Sequence, residues 1–383
     1  MNTAVDTLSF VRRDEQAALP PPSLARGPLA WIRENLFPGP VNSILTIAVL
    51  ALLFVVIPPM VRFALTDAIW TGTNRDACLP KQPGAYVGAC WAFVFDKINY
   101  FIYGSFPIAE RWRVNVVFAL FAIGIAWLLN LRMPRRDLGA LFFFVFVPLA
   151  TYILLVGSDW LGLSYVPTSL WGGVLVTLLV SAVGIVFSLP FGVVLALGRR
   201  SKLPIVRLAS IVFIEFVRGV PLITVLIMAN TMLPLFLPEG VSVDRLIRPL
   251  VGVALFASAY MAEVVRGGLQ AIPKGQYEGA MSLGLGYWRM MILIVLPQAL
   301  RIVIPGIVNT FIGLFKDTTL VSIVGIFDFI RTIEASRVDP NWAAPTVATT
   351  GYAFAGIFYF ICCYGMSRYS TGVERRLAAG QKR

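Results

Sequence analysis

The sequence contains no histidine. That removes the side chain that titrates near neutrality, and with it the commonest general base and metal ligand. No GxxxxGK[ST] loop occurs, so the chain carries no P-loop nucleotide site of its own. Charge is also scarce, with Asp, Glu, Lys and Arg making up 14% of 383 residues, against about 25% in soluble domains. No carboxylates cluster for acid–base work. These shortages argue against an enzyme, and neither a catalytic nor a metal site is expected. Cysteine is rare, with four in all. Cys362 and Cys363 sit together in an apolar run as packing residues. Cys78 and Cys90 share a polar loop placed outside, where either a disulfide or two free thiols is compatible with the sequence.

Apolar residues are abundant, at 58%, compared with roughly 45–50% in soluble domains. They fall in separate runs of about twenty residues, the length a helix needs to cross a bilayer core of about 30 Å. Backbone groups in lipid must pair internally, so the runs predict helices. The fold class is all-α, a polytopic membrane protein with about eight spans. The net charge of +12 comes from arginines between the apolar runs. Juxtamembrane Lys and Arg favour the cytoplasmic side and anionic lipid, which accounts for them without nucleic acid.

In chain order, residues 1–42 are polar, with Pro20–Pro22, Arg12, Arg13, Arg26 and Arg33, and read as a cytoplasmic tail. No apolar run near the N-terminus suggests a cleaved signal peptide. Residues 43–157 form a three-span extension: Ser43 to Leu65, Val114 to Leu131 and Leu138 to Val156, with an external loop at 66–113. Its aromatics, around Trp91–Phe95 and Tyr100–Tyr103, suit either the membrane interface or a loop packed against its own spans. Arg132, Arg135 and Arg136 mark the inside, as do Arg199, Arg200 and Lys202 after the fourth span. Span five runs from Arg207 to Leu237, where Pro221 predicts a bend. Span six covers Leu246 to Gln270. A seventh crossing is expected to break at Lys316-Asp317-Thr318-Thr319, and Leu320–Ile330 continues it. The eighth runs from Val347 to Tyr364, and 373–383 is a basic inside tail. An even count places both termini in the cytoplasm.

Ionisable residues inside spans are costly and usually mark function. Glu215 and Arg218 in span five are echoed by Glu263 and Arg266 in span six, each pair three residues apart on one helix face. Each can be a self-satisfied bridge or part of a gate or substrate path. Lys316, Asp317, Thr318 and Thr319 form the third candidate. Helix ends exposed there would offer N–H and C=O groups to a zwitterion, or the segment is a solvated turn.

The most informative stretch is Gln276 to Pro297, QYEGAMSLGLGYWRMMILIVLP. Charged and small residues come first, Gly284 and Gly286 interrupt, and an apolar run re-enters the membrane. This predicts a surface helix closed by glycine, with backbone left open for a neighbour's approach. Tyr277, Met281, Leu283, Tyr287 and Trp288 make it too apolar for a water-facing connector, so it reads as a docking knob. The spacing Glu278-Gly279-Ala280, three residues, Gly284, nine residues, then Ile294-Val295-Leu296-Pro297 resembles the EAA loop of ABC importer permeases. Gly279 stands where that motif usually has alanine. The flanks Ser258–Gln276 and Gln298–Gly325, with Ile214–Thr224, resemble the branch that imports polar amino acids.

The resemblance covers about 168–372 and implies a type-one ABC importer core of five spans with a coupling loop at 272–290. It implies that Glu278, Gly279, Ala280, Gly284, Tyr287, Leu296 and Pro297 couple the chain to an ATPase. Gly88–Val94 and Glu110–Val114 resemble the extension of the M-type subunit of the general L-amino-acid permease. That likeness implies an ATPase dimer holding ATP and Mg on its own chains, a second permease subunit in a heterodimer, a periplasmic binding protein and L-amino acid substrates. It places the chain in a bacterial inner membrane. The alternative is an ion-coupled secondary amino acid transporter, which predicts inverted repeats with paired broken helices and no docking loop.

Overall fold

The computed structural model describes residues 27–82, 84–130, 133–236, 238 and 243–381. Pro20–Pro22, Arg12, Arg13, Arg26 and Arg132 lie outside the described residues, as do Leu131 and Leu237. No strand occurs among the described residues. The chain divides into two units, 1–66 and 67–383.

In the first unit, α1 (Pro28–Leu36) and α2 (Pro40–Val61) are joined where the Thr46 hydroxyl donates to the Leu36 carbonyl at 2.6 Å. Both begin with proline in the first turn, where no N–H is needed. α2 and the π-helical turn that follows make a span at Pro40–Thr66.

The second unit opens with the 66–113 segment, a folded loop rather than an interfacial one. Its helix α3 (Trp91–Tyr103) buries Trp91, Ala92, Phe93, Val94 and Phe101. Phe93 meets Trp342 edge-on at 6.0 Å between ring centroids, and Phe101 meets Phe329 at 6.4 Å. The Trp342 indole donates to Asp96 at 2.8 Å, and Lys97 pairs with Asp339 at 2.7 Å. Cys78 and Cys90 are joined in a disulfide with Cα atoms 5.8 Å apart. Purified, denatured protein should therefore titrate two thiols per chain, Cys362 and Cys363, and four after reduction. Four thiols before reduction would contradict the bridge.

Helix α4 (Arg111–Leu129) packs against a second helix that starts as α5 (Arg136–Leu141), widens into a π turn and continues as α6 (Val147–Val156). Arg113, 1% exposed, is held by Glu110 at 2.8 Å and the Ser164 carbonyl at 2.8 Å. These contacts explain how Lys97 and Arg113 sit in the loop expected outside.

The centre of the unit is α7 (Gly173–Arg199) against α10 (Ile247–Ala271). The two approach where a Cβ on Gly192 would fall 2.7 Å from the Met261 side chain. Small residues of this kind let helices close in lipid, where no hydrophobic force drives them together. Between them the chain forms α8 (Pro204–Gly219) and α9 (Leu222–Met232), bent by 110° across the break before Leu222. Pro221 sits in that break, as its fixed φ and missing N–H predict. Span five is thus two helices, and Glu215 on α8 reaches Arg199 at the end of α7.

After α10 come α11 (Lys274–Ser282), α12 (Tyr287–Met290), a π turn, α13 (Leu296–Ile302) and α14 (Ile304–Asp317). The expected break at Lys316–Thr319 does not form. α14 passes directly into 3-10 turns over Thr318–Val324, giving one span at Ile304–Val324. The hydroxyls of Thr318, Thr319 and Ser322 donate to the carbonyls of Phe315, Lys316 and Thr319 at 2.8, 3.0 and 2.8 Å. These bonds run back three residues, matching the tighter winding of the turns. The continuation expected to reach Ile330 stops at Gly325, in the left-handed region with φ +79°. α15 (Phe329–Ser336) then begins under an Asp328 cap. The last helix, α16 (Val347–Gln381), runs on through 373–381. Seven helices among the described residues are long and apolar enough to cross a membrane, and the bent pair brings the count to eight.

Candidate functional site

The docking segment is built on α11, nine residues closed by glycine. Gly284 has φ +72°, its N–H donates to the Met281 carbonyl at 2.9 Å, and the Leu285 N–H donates to the Ala280 carbonyl at 3.2 Å. This is the left-handed C-terminal closure that glycine permits without steric cost. Ala280 faces inward among Met290, Met291 and Val295. Outward stand Glu278, Gly279, Met281, Leu283, Tyr287 and Trp288, with Leu283 77% exposed. A Cβ on Gly279 would meet nothing within 4 Å, so glycine in place of alanine leaves packing within the chain untouched. Tyr287 and Trp288 meet edge-on at 5.2 Å. Partial burial pushes the Tyr287 hydroxyl up from its ordinary value, so it remains a neutral donor at physiological pH. Leu296 and Pro297 start α13, Leu296 half-buried and Pro297 exposed.

The segment is tied to two spans by a residue the sequence marked only as an inside charge. Arg200, just past α7, donates to the Leu269 carbonyl of α10 at 3.0 Å and to the Tyr277 hydroxyl at 3.1 Å. Its guanidinium also lies 5.6 Å from the Tyr277 ring centroid, and Tyr277 itself donates to the Leu269 carbonyl at 3.1 Å.

Close to this tie lies an ion cluster. Glu263 pairs with Arg266 at 2.8 Å, as the spacing on one helix face predicts. It also takes Arg199 at 2.7 Å and Arg218 at 3.7 Å. Glu215 instead pairs with Arg199, at 2.8 Å. The two echoed pairs are therefore one network across α7, α8 and α10, with Glu263 at its hub. Three arginines against two glutamates leave one net positive charge. Arg218 lies 5.5 Å from the Tyr260 ring centroid, a favourable place for a cation. Arg199 was the missed member. The sequence showed it only as part of the basic end Arg199-Arg200, with no local sign of the carboxylates it meets. The Thr318 and Thr319 hydroxyls bond back within their own span rather than to this cluster; Lys316 is exposed and Thr318 buried.

Residues 188–378 match the family described as the binding-protein-dependent transport system inner membrane component. Over 353 residues the chain is 48% identical to the inner membrane amino-acid ABC transporter permease protein YhdY of Escherichia coli K12, spanning 92% of this chain and 94% of that one. The chain belongs to the amino-acid ABC transporter permeases. The permease is also 38% identical to BztC of Rhodobacter capsulatus, a glutamate/glutamine/aspartate/asparagine transport system permease protein, over 96% of its own length and 98% of that chain. A crystal structure of an amino acid ABC transporter with histidines covers 53% of the permease and 92% of that chain, at 28% identity and TM-score 0.46. The matched interval takes in α8 to α15 whole, and with them the docking segment and Glu215, Arg218, Glu263 and Arg266.

Proposed function

We propose that the permease is the transmembrane subunit of an ATP-driven importer for L-amino acids. A binding protein delivers the substrate, and a separate ATPase, with its own ATP and Mg, supplies the energy. The observation that carries the reading is the solvent-facing apolar tip of the docking segment. Met281, Leu283 and Trp288 stand exposed beside a glycine-closed helix whose base is tied to two spans. Such a tip is stable only when another surface covers it. Arg135, Arg136, Arg199, Arg200 and Lys274 flank the helix ends on the side assigned to the cytoplasm, which supports a cytoplasmic docking segment and cytoplasmic termini. The Glu263 cluster acts as an inner gate: it joins α7, α8 and α10 when intact and must open for a zwitterion to pass. A second permease subunit completes the pathway. The substrates named for BztC, two acidic amino acids and their amides, support a polar or broad range. An ion-coupled transporter predicts paired broken helices, whereas the described residues contain one bent pair.

Affinity capture of the permease from solubilised membranes tests the reading. An ATP-binding subunit is expected to copurify, and uptake of labelled L-amino acids into vesicles should cease when ATP is removed. Uptake that persists without ATP would overturn it.

A further inference from the structure

A cavity of about 430 Å³ lies between the α4–α6 pair and α7 with α10. Phe121, Phe143, Leu179, Ala182 and Leu250 line it, and all four surrounding elements belong to membrane spans. Along α7 it runs from Leu179 to Phe187, about 12 Å at 1.5 Å per residue, within the depth of one leaflet, about 15 Å. Tyr152, Tyr165 and Phe187 at its edge are exposed, so it opens sideways. What surrounds that opening is hydrocarbon.

Two donors at the cavity wall find no hydrogen-bond partner among the described residues, Thr151 Oγ1 and Trp171 Nε1. Their residues are only 5% and 6% exposed. A buried donor left unpaired costs about 1–3 kcal/mol, and buried tryptophan N–H groups usually find an acceptor. Trp171 stands two residues ahead of α7, at the depth where interfacial rings meet lipid headgroups. Thr151 lies five residues from the end of α6, about 7.5 Å deeper. The unpaired donors thus sit at the shallow end, and Leu179, Ala182 and Phe187 carry the apolar wall deeper. An amino acid zwitterion does not fit this wall. Asp244 is its one charged residue, and its carboxylate already accepts from the Thr168 hydroxyl at 2.6 Å and the Leu246 N–H at 2.8 Å. The deeper wall of Leu179, Ala182 and Phe187 offers water no polar partner.

We propose that this slot holds one acyl chain of a membrane phospholipid, whose two ester carbonyls accept, one from Trp171 Nε1–H and the other from Thr151 Oγ1–H, after a small turn of those side chains. The lipid fills the seam between the α4–α6 pair and the core, and the site is separate from the amino acid pathway. The inference needs the chain to span a membrane but not to import any particular substrate.

The test reconstitutes the full chain in phosphatidylethanolamine–phosphatidylglycerol vesicles carrying a phosphatidylethanolamine with a diazirine in its acyl chain. Light should attach label to lining peptides of α4, α6 and α7 well above the lipid-facing surface of α16, and Ala182→Trp should cut that labelling at least tenfold. Phospholipid that stays with detergent-washed protein should be about one per chain, falling about three- to tenfold in Thr151→Val, which keeps the side-chain shape and loses one hydrogen bond, and at least as far in Trp171→Phe, which loses the donor together with part of the ring. Because Thr151→Val preserves packing, it reads the site even if Ala182→Trp fails to fold. Labelling of the slot no stronger than that of α16 would overturn the proposal. So would recovery of free fatty acid instead of phospholipid, or cysteine crosslinks placing α2 or a second permease chain in the slot.

Discussion

Gly284→Asp is expected to reduce amino acid uptake at least a hundredfold while leaving the permease inserted at normal abundance. Two physical terms separate here. The residue is left-handed at φ +72°, and a Cβ placed there would meet nothing within 4 Å. Strain alone is therefore about 1–2 kcal/mol, and aspartate tolerates this region better than most residues. A helix of nine residues on the surface can bear that without the spans unfolding. The charge is the larger effect. It lands between Leu283 and Tyr287, in the middle of the exposed apolar tip, and a partner covering that tip would have to bury an unpaired carboxylate. Gly284→Ala carries the strain without the charge and should lose less than tenfold. The check pairs labelled uptake with immunoblotting of the membrane fraction. Normal uptake by Gly284→Asp at normal abundance would remove the docking role from this segment.

Glu263→Gln should be the most destabilising single change in the ion cluster. Glu263 is 15% exposed on its side chain and pairs with three guanidiniums, whereas Glu215 is 54% exposed and pairs with one. Removing one partner of a buried pair costs about 3–5 kcal/mol because the others remain charged; partial exposure of the arginines brings this to about 2–3 kcal/mol. Glu215→Gln should fall within about 1 kcal/mol, as for solvent-screened pairs. Thermal unfolding in detergent orders the two variants. Combining Glu263→Gln with Arg266→Gln should recover part of the loss, because fewer guanidiniums are left unpaired. Equal melting temperatures for Glu263→Gln and Glu215→Gln would show that Glu263 is not the hub.

The spans were legible because each is an apolar run bounded by charge, such as Arg135-Arg136 before α5 and Arg199-Arg200 after α7. The glycine-closed helix was legible for a local reason too, since a left-handed residue after a short polar helix almost demands glycine. The rest was set either by local winding or by partners distant in sequence. Lys316-Asp317-Thr318-Thr319 looks like a break, yet hydroxyls bonding back three residues keep the chain wound. The bend expected at Pro221 forms, and its size of 110° follows from Val220, which is extended and carries no helix across. Trp91 to Phe101 could have lain on a membrane surface. Burial against Trp342 and Phe329, more than two hundred residues on, decides against it. Arg199 was visible only as a positive end, since nothing local says that Glu215 and Glu263 fold back upon it.

Arg200 touches both the Leu269 carbonyl and the Tyr277 ring. A force applied to α11 therefore cannot stay in α11: it reaches the last turn of α10 and the end of α7 in the same stroke. From Arg199, one residue back, it continues through Glu215 into α8 and up to the elbow at Pro221. On the proposed docking, a small tilt delivered at the surface would become a swing of α9, with the guanidinium–phenol contact and the Tyr277–Leu269 hydrogen bond sharing the load.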